Sequence, residues 1–209
     1  MTVFDENCRA CPRLATHLDQ VRVEHPGYWA RPVAPFGDPA AWLLIVGLAP
    51  GLHGANRTGR PFTGDHAGIL LYDTLYQFGF ASSQTSVHAG DGLQLTGCRI
   101  TNAVKCLPPQ NKPETAEVWQ CNSFLADELA SLPAGASLLA LGTIAHAAIL
   151  RALGLSARFA VFSHAACHSL PNGMRLYDSY HCSRYNTQTR RLTDDMFRAV
   201  FQRILAERS

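Results

Sequence analysis

AWLLIVGL, Ala41 to Leu48, is an apolar run broken only by Gly47, and it stops at Ala49-Pro50-Gly51. Such a run, without alternation, reads as a strand buried on both faces, the habit of a parallel sheet. Three more segments read as strands: Arg99–Val104 (RITNAV), Ser137–Leu141 (SLLAL) and Arg175–His181 (RLYDSYH). Helical patterns lie between and after them. Gly68–Phe80 carries Ile69, Leu71, Tyr72, Leu75, Tyr76 and Phe78 and is expected to end at Gly79. Pro113–Leu132 has Pro113 for its first position and Glu114 and Glu117 for its positive end. A third helix is expected near Thr143–Leu153. The last, Thr193–Leu205, has Thr193 as its cap and one stripe of Met196, Phe197, Val200, Phe201, Ile204 and Leu205. Leu14–Pro39 and Ala81–Gly97 read as long irregular connections. Strands alternating with helices predict an α/β fold with a mainly parallel sheet, whose ligands sit at the carboxyl ends of the strands.

The 209 residues suit one domain, 1–209. With 47% hydrophobic and only 16% charged residues, general disorder is excluded. The net charge of +2 is too small to demand a polyanionic partner. Lys105 and Lys112 are the only lysines, so arginine, the better phosphate fork, supplies the rest of the basic residues. No apolar run approaches the roughly 18 residues of a membrane span, and MTVFDENCRACPRL is no secretory leader. A soluble intracellular protein is expected, in which the seven cysteines are not disulfides.

Cys8 and Cys11 form C-x-x-C, while Cys106 and Cys121 are separated by fourteen residues. Four thiolates can close a zinc site or hold a [4Fe–4S] cluster. The wide second pair favours the cluster, whose ligands attach to different corners of a cube. The plainer reading makes Cys106 and Cys121 small buried hydrophobes. Cys98, Cys167 and Cys182 show no partner pattern.

After the first strand runs GLAPGLHGANRTGRPFTGD, Gly47 to Asp65, with five glycines that let backbone approach a ligand. It also holds His53, Asn56, Arg57, Arg60, Phe62 and Asp65. An aromatic among glycines and arginines at a strand end suits a planar ring beside a phosphate. The glycine spacing fits neither a Walker loop nor a dinucleotide fingerprint. The plainer readings are a core aromatic for Phe62 and a helix cap for Asp65.

This loop resembles the first motif of family 5 (type-b) uracil-DNA glycosylases. TNAVKC (Thr101–Cys106) is similar to the asparagine motif shared with the iron–sulfur family 4 branch. HCSRYNTQT (His181–Thr189) resembles the final histidine motif, and the four cysteines resemble the cluster ligands. The likeness runs from Cys8 to about Leu192. It implies a three-layer α/β/α fold around a four-stranded, mainly parallel sheet. It also implies an enzyme that excises uracil, and other deaminated bases such as hypoxanthine, from damaged DNA and leaves an abasic site.

By the same resemblance, Phe62 stacks on the flipped base, Asn102 hydrogen-bonds its edge, and Gly47 and Ala49 line its site. His181 steadies the charge on the departing base. Leu48 and Ala49 replace the glutamate of family 4, so water is expected to be positioned by Asn56, with Asp65 the acidic alternative. Ser183, Arg184 and Tyr185 are expected on the DNA, with Arg190 and Arg191 adding charge. Cys182 stands where the pattern has proline, which is expected to loosen His181. A monomer in the prokaryotic cytoplasm, associated with the nucleoid, completes the expectation. The alternative is a metal-stapled nucleic-acid-binding protein of the same fold without turnover. A covalent uracil-trapping relative is excluded, because no basic insertion follows Asp65.

Overall fold

The computed structural model describes residues 4–208. In chain order the strands are β1 (Phe36–Gly37), β2 (Leu43–Gly47), β3 (Cys98–Asn102), β4 (Ser137–Leu141), β5 (Cys167–Ser169) and β6 (Arg175–Ser179). The helices are α1 (Pro12–Glu24), α2 (Ala55–Thr58), α3 (His66–Gln77), α4 (Thr115–Ala130), α5 (Thr143–Ala152), α6 (Arg184–Gln188) and α7 (Asp194–Ala206).

The sheet order is β1-β3-β2-β4-β6-β5. Its centre, β3-β2-β4-β6, is wholly parallel and consists of the four strands expected from sequence. The sheet has six strands rather than four. β1 and β5 add short antiparallel edges against β3 and β6. At two and three residues they are too short for any periodicity to reveal.

Burial on both faces explains the continuous apolar run of β2. Leu43 and Ile45 face one core with Leu71, Leu75, Phe197 and Phe201 of α3 and α7. Leu44 and Val46 face the other with Leu125, Leu129, Ile149 and Leu150 of α4 and α5. These two cores make the three layers. Each fully buried aliphatic side chain contributes roughly 1.5–3 kcal/mol, so the β2 stripe alone anchors the sheet.

The caps place the helix starts. Thr193 accepts from the Met196 amide and opens α7, as expected. At α4 the cap is Glu114, in a reciprocal box with Glu117, so Pro113 precedes the helix instead of starting it. Residues 81–97 are irregular, pinned by an Ala81–Leu95 bridge. Residues 14–39 are not all irregular, because α1 occupies their start. Pro12 opens it, and Leu14, Leu18 and Val21 form its buried stripe, Leu18 and Val21 packing with Ala30 and Leu107.

Candidate active site

All four parallel strands end at one cavity of about 480 Å³. The β2 loop gives Ala49, Phe62 and Asp65, the end of β3 gives Asn102, and the chain after β6 gives Tyr180, His181 and Ser183. Gly47 stands behind this wall. A Cβ there would come within 2.5 Å of Asn102 Oδ1 and 2.6 Å of the Phe62 ring, so only glycine lets both reach the cavity.

Phe62 is buried and holds a positive φ of 54°, unfavourable for a bulky residue. Its neighbours impose that conformation. The Arg60 guanidinium donates to both Asp91 oxygens at 2.8 and 2.6 Å, to Ser86 Oγ and to Thr63 Oγ1. Tyr72 Oη donates to the Pro61 carbonyl at 2.8 Å. The Phe62 ring then lies 5.7 Å from the His181 ring, 26° from parallel.

The polar groups are tuned by burial. Desolvation lowers the His181 pKa to about 4, so the imidazole is neutral at pH 7. Asn186 Nδ2 donates to the His181 carbonyl at 2.8 Å, and Ser183 caps the short helix α6. Desolvation also raises the Asp65 pKa, against the backbone amides of Gly68 and Ala67. Asp65 Oδ1 caps α3 through the Gly68 amide at 2.9 Å, so its cap role and its place in the cavity coexist. Asp65 Oδ2 lies against Gly54, where an added Cβ would stand 2.5 Å away. Asn102 is buried, and its Oδ1 has no hydrogen-bond partner. A buried acceptor left open beside an aromatic ring is a ready binding edge.

Residues 34–205 match the model of the uracil DNA glycosylase superfamily. The chain is 48% identical to the type-5 uracil-DNA glycosylase of Thermus thermophilus, over 92% of this chain and 90% of that protein. It is 42% identical to the type-5 enzyme of Pyrobaculum aerophilum, over 96% and 89%. The type-4 uracil-DNA glycosylase of that archaeon is 35% identical, over 71% and 62%. The chain belongs to the type-5 uracil-DNA glycosylases.

Within this type-5 frame Ala49, Phe62, Asp65, Asn102, His181 and Ser183 share the cavity. Asn56 does not. It is 0% exposed in α2, is absent from the cavity lining, and has both side-chain polar atoms unpaired. The turn of α2 aims it inward, while its carbonyl accepts from the Ala30 amide. Arg184 lines an adjoining groove with His53, Arg57 and His66, and Tyr185 is 70% exposed. Arg191 lines the cavity, its guanidinium 4.6 Å from the Tyr180 ring. Cys182 is fully buried in the α3–α7 core, so packing, not a proline ring, fixes the chain beside His181. Sequence reasoning missed Ile144, Phe162 and Tyr180 in the cavity wall, which carry no pattern beyond apolar residues near strand ends.

A second cavity of about 220 Å³ is lined by Cys8, Cys11, Cys106 and Cys121. Burial, then the charges of Cys121, Glu117 and Cys8, push the Cys11 thiol up to about 11. Burial and the other thiols raise Cys106 further, and burial raises Cys121. Thiols that disfavour one another's charge suit a shared cation. Among the described residues, the one set of three metal-type donors within 4.8 Å of one another is His146, His168 and Asp178. Four cysteines around one cavity could hold a zinc ion or a multi-iron cluster. No helix among the described residues is long and apolar enough to cross a membrane.

Proposed function

We propose that this chain excises uracil from DNA by hydrolysing the N-glycosidic bond, the first step of a base-excision repair. The observation that carries the reading is the open Asn102 Oδ1 beside the buried Phe62 ring, at the end of a parallel sheet. A flipped base stacks on Phe62 and offers its N3–H to that oxygen. Flipping costs a few kcal/mol and is cheapest at mismatched bases, such as uracil opposite guanine. Hypoxanthine is a further substrate on this reading.

The bond from C1′ to the base breaks with its electron pair passing to the base. The neutral His181 donates a hydrogen bond to the base oxygen where that charge gathers, in the manner of an oxyanion hole. The sugar left behind is oxocarbenium-like. The Asp65 carboxylate steadies it, orients water through Oδ2 and takes the proton when water adds to C1′. Asp65 replaces Asn56 in this role because Asp65 lines the cavity and Asn56 does not. Ser183, Arg184 and Tyr185 contact the DNA backbone.

Cys8, Cys11, Cys106 and Cys121 would hold a [4Fe–4S] cluster, which supplies a cross-link between the N-terminal segment and α4. The chain works as a single domain and a monomer, in the cytoplasm. The test is a duplex with one uracil opposite guanine, followed by alkali. Strand cleavage at uracil, reduced in Asp65→Asn and His181→Ala, supports the reading. Tight binding without cleavage overturns it in favour of a non-hydrolytic binding protein.

A further inference from the structure

Behind the cavity, the buried Asp178 carboxylate of β6 receives three donors. His146 Nδ1 of α5 lies 2.7 Å from Oδ1, and His168 Nε2 of β5 lies 3.2 Å from Oδ2. The Ser163 amide also points to Oδ2, at 3.4 Å. On the far side of its ring, His146 Nε2 meets the Ala160 carbonyl at 3.1 Å. His146 is thus held on both ring nitrogens, by the Asp178 carboxyl on one side and the Ala160 carbonyl on the other. The 2.7 Å contact is a hydrogen-bond distance, shorter than two ligands of one metal ion stand apart.

The placement of this network is informative. Ala160 and Ser163, which it grips, flank Phe162 in sequence. The Phe162 ring rests edge-on against His146, at 5.8 Å and 85°, and lies 6.2 Å from the Tyr180 ring. Phe162 and Tyr180 both line the base cavity. The same segment leaves Phe159 and Val161 exposed, so little apolar packing holds it.

We propose that His146, Asp178 and His168 are positioning residues for the base pocket. They pin residues 160–163 from behind, hold Phe162 as cavity wall, and so set which damaged base fits. None of the three lines the cavity. The inference rests on the glycosylase reading for its substrate and on geometry alone for the pin.

Three measurements on the full chain test it. Hydrogen exchange is followed in residues 159–166 of wild type and Asp178→Asn. Single-turnover release of hypoxanthine and of uracil is compared in wild type, Asp178→Asn, Phe162→Ala and the double variant. Zinc is measured after desalting through a chelator. We expect roughly tenfold faster exchange in that segment alone. We also expect a hypoxanthine-to-uracil ratio raised about fivefold by either single variant, with no further change in the double variant. His168→Gln, at the more exposed end of the network, serves where Asp178→Asn does not fold. Unchanged exchange overturns the pin. A ratio shift that persists at full size in the Phe162→Ala background overturns its action through Phe162. One equivalent of zinc, lost in Asp178→Asn, would place a metal among these three side chains and overturns the hydrogen-bonded network. Release of neither base by wild type would sink the glycosylase reading instead, and exchange would still decide the pin.

Discussion

Phe62 and His181 stack at 5.7 Å between centroids although one belongs to the loop after β2 and the other to the chain after β6. The parallel sheet makes this contact possible, because every central strand delivers its following loop to the same edge. The base would therefore meet its stacking ring and its hydrogen-bond donor as one preassembled surface. Preorganised dipoles are most effective where charge develops in a dry site.

His181→Ala should lower single-turnover release about 100- to 1000-fold, the usual cost of one such donor. With its pKa lowered to about 4 by burial, His181 adds no titration near pH 6.5 to the rate profile of the wild type. The same shift acts on stability. The unfolded chain binds this proton below pH 6.5, while the folded chain refuses it until about pH 4. Stability is full above pH 6.5 and falls by about 3 kcal/mol as pH drops through that window. Denaturant melts of wild type and His181→Ala between pH 4 and 7.5 measure the difference, and equal pH slopes would refute it.

Asp65→Asn should slow release about 100-fold while keeping the helix cap, because asparagine caps as well as aspartate. In the wild type the rate should rise with pH through a carboxyl titration displaced upward by burial, then level off. The variant should lose that limb. Gly54→Ala offers an independent check. Its new methyl would strike Asp65 Oδ2 and Cβ, so the rate should fall although no catalytic group is removed. A wild-type rate in Gly54→Ala would show that the Oδ2 position is immaterial.

Legibility followed range along the chain. Strands β2 and β4 showed because burial on two faces demands unbroken apolar runs. Helix α1 was hidden by its mixed stripe, in which Leu14, Leu18 and Val21 alternate with His, Asp and Arg beside a C-x-x-C that draws the eye to metal. Phe62, Asp65, Asn102 and His181 could be read as residues of one cavity because a motif or a strand end marks each of them. The motif fixes the neighbourhood of Asn56, while the turn of α2 places it outside the cavity lining, which no local pattern announces. The fork from Arg60 to Asp91 and the meeting of His146, Asp178 and His168 join distant segments, and no local pattern announces such pairings.

Arg60→Ala should destabilise the fold by about 3–5 kcal/mol, since it strands a largely buried Asp91 without its partner. Arg60→Lys should recover only part of this, because an ammonium cannot fork across both carboxylate oxygens. The Arg60 hydrogen bonds hold the Asp91 carboxyl well below the ordinary range. Its contribution is therefore present above about pH 4 and lost as pH falls through that depressed value. Freed from the clamp, Phe62 should relax from its positive φ, and KM should rise more than kcat falls. Thermal melts and steady-state kinetics of the two variants decide this.

The four converging cysteines give the last prediction. Protein prepared without oxygen should carry iron and sulfide in equal amounts and absorb in the visible. Cys106→Ser and Cys121→Ser should each lose that absorbance. Cys121 has a second tie, because the Lys105 amide donates to its sulfur at 3.3 Å while Lys105 Nζ holds the Asn102 carbonyl at 3.0 Å. Loss of the metal group should thus be felt in the base pocket. Stability should fall first, with a lower melting temperature and faster proteolysis of the segment before α1. Base affinity should weaken next, as Asn102 loses its backing, while the pH profile set by Asp65 should stay unchanged. Zinc in place of iron would replace the cluster with a zinc site, and protein isolated without any metal would leave the thiols as simple core residues.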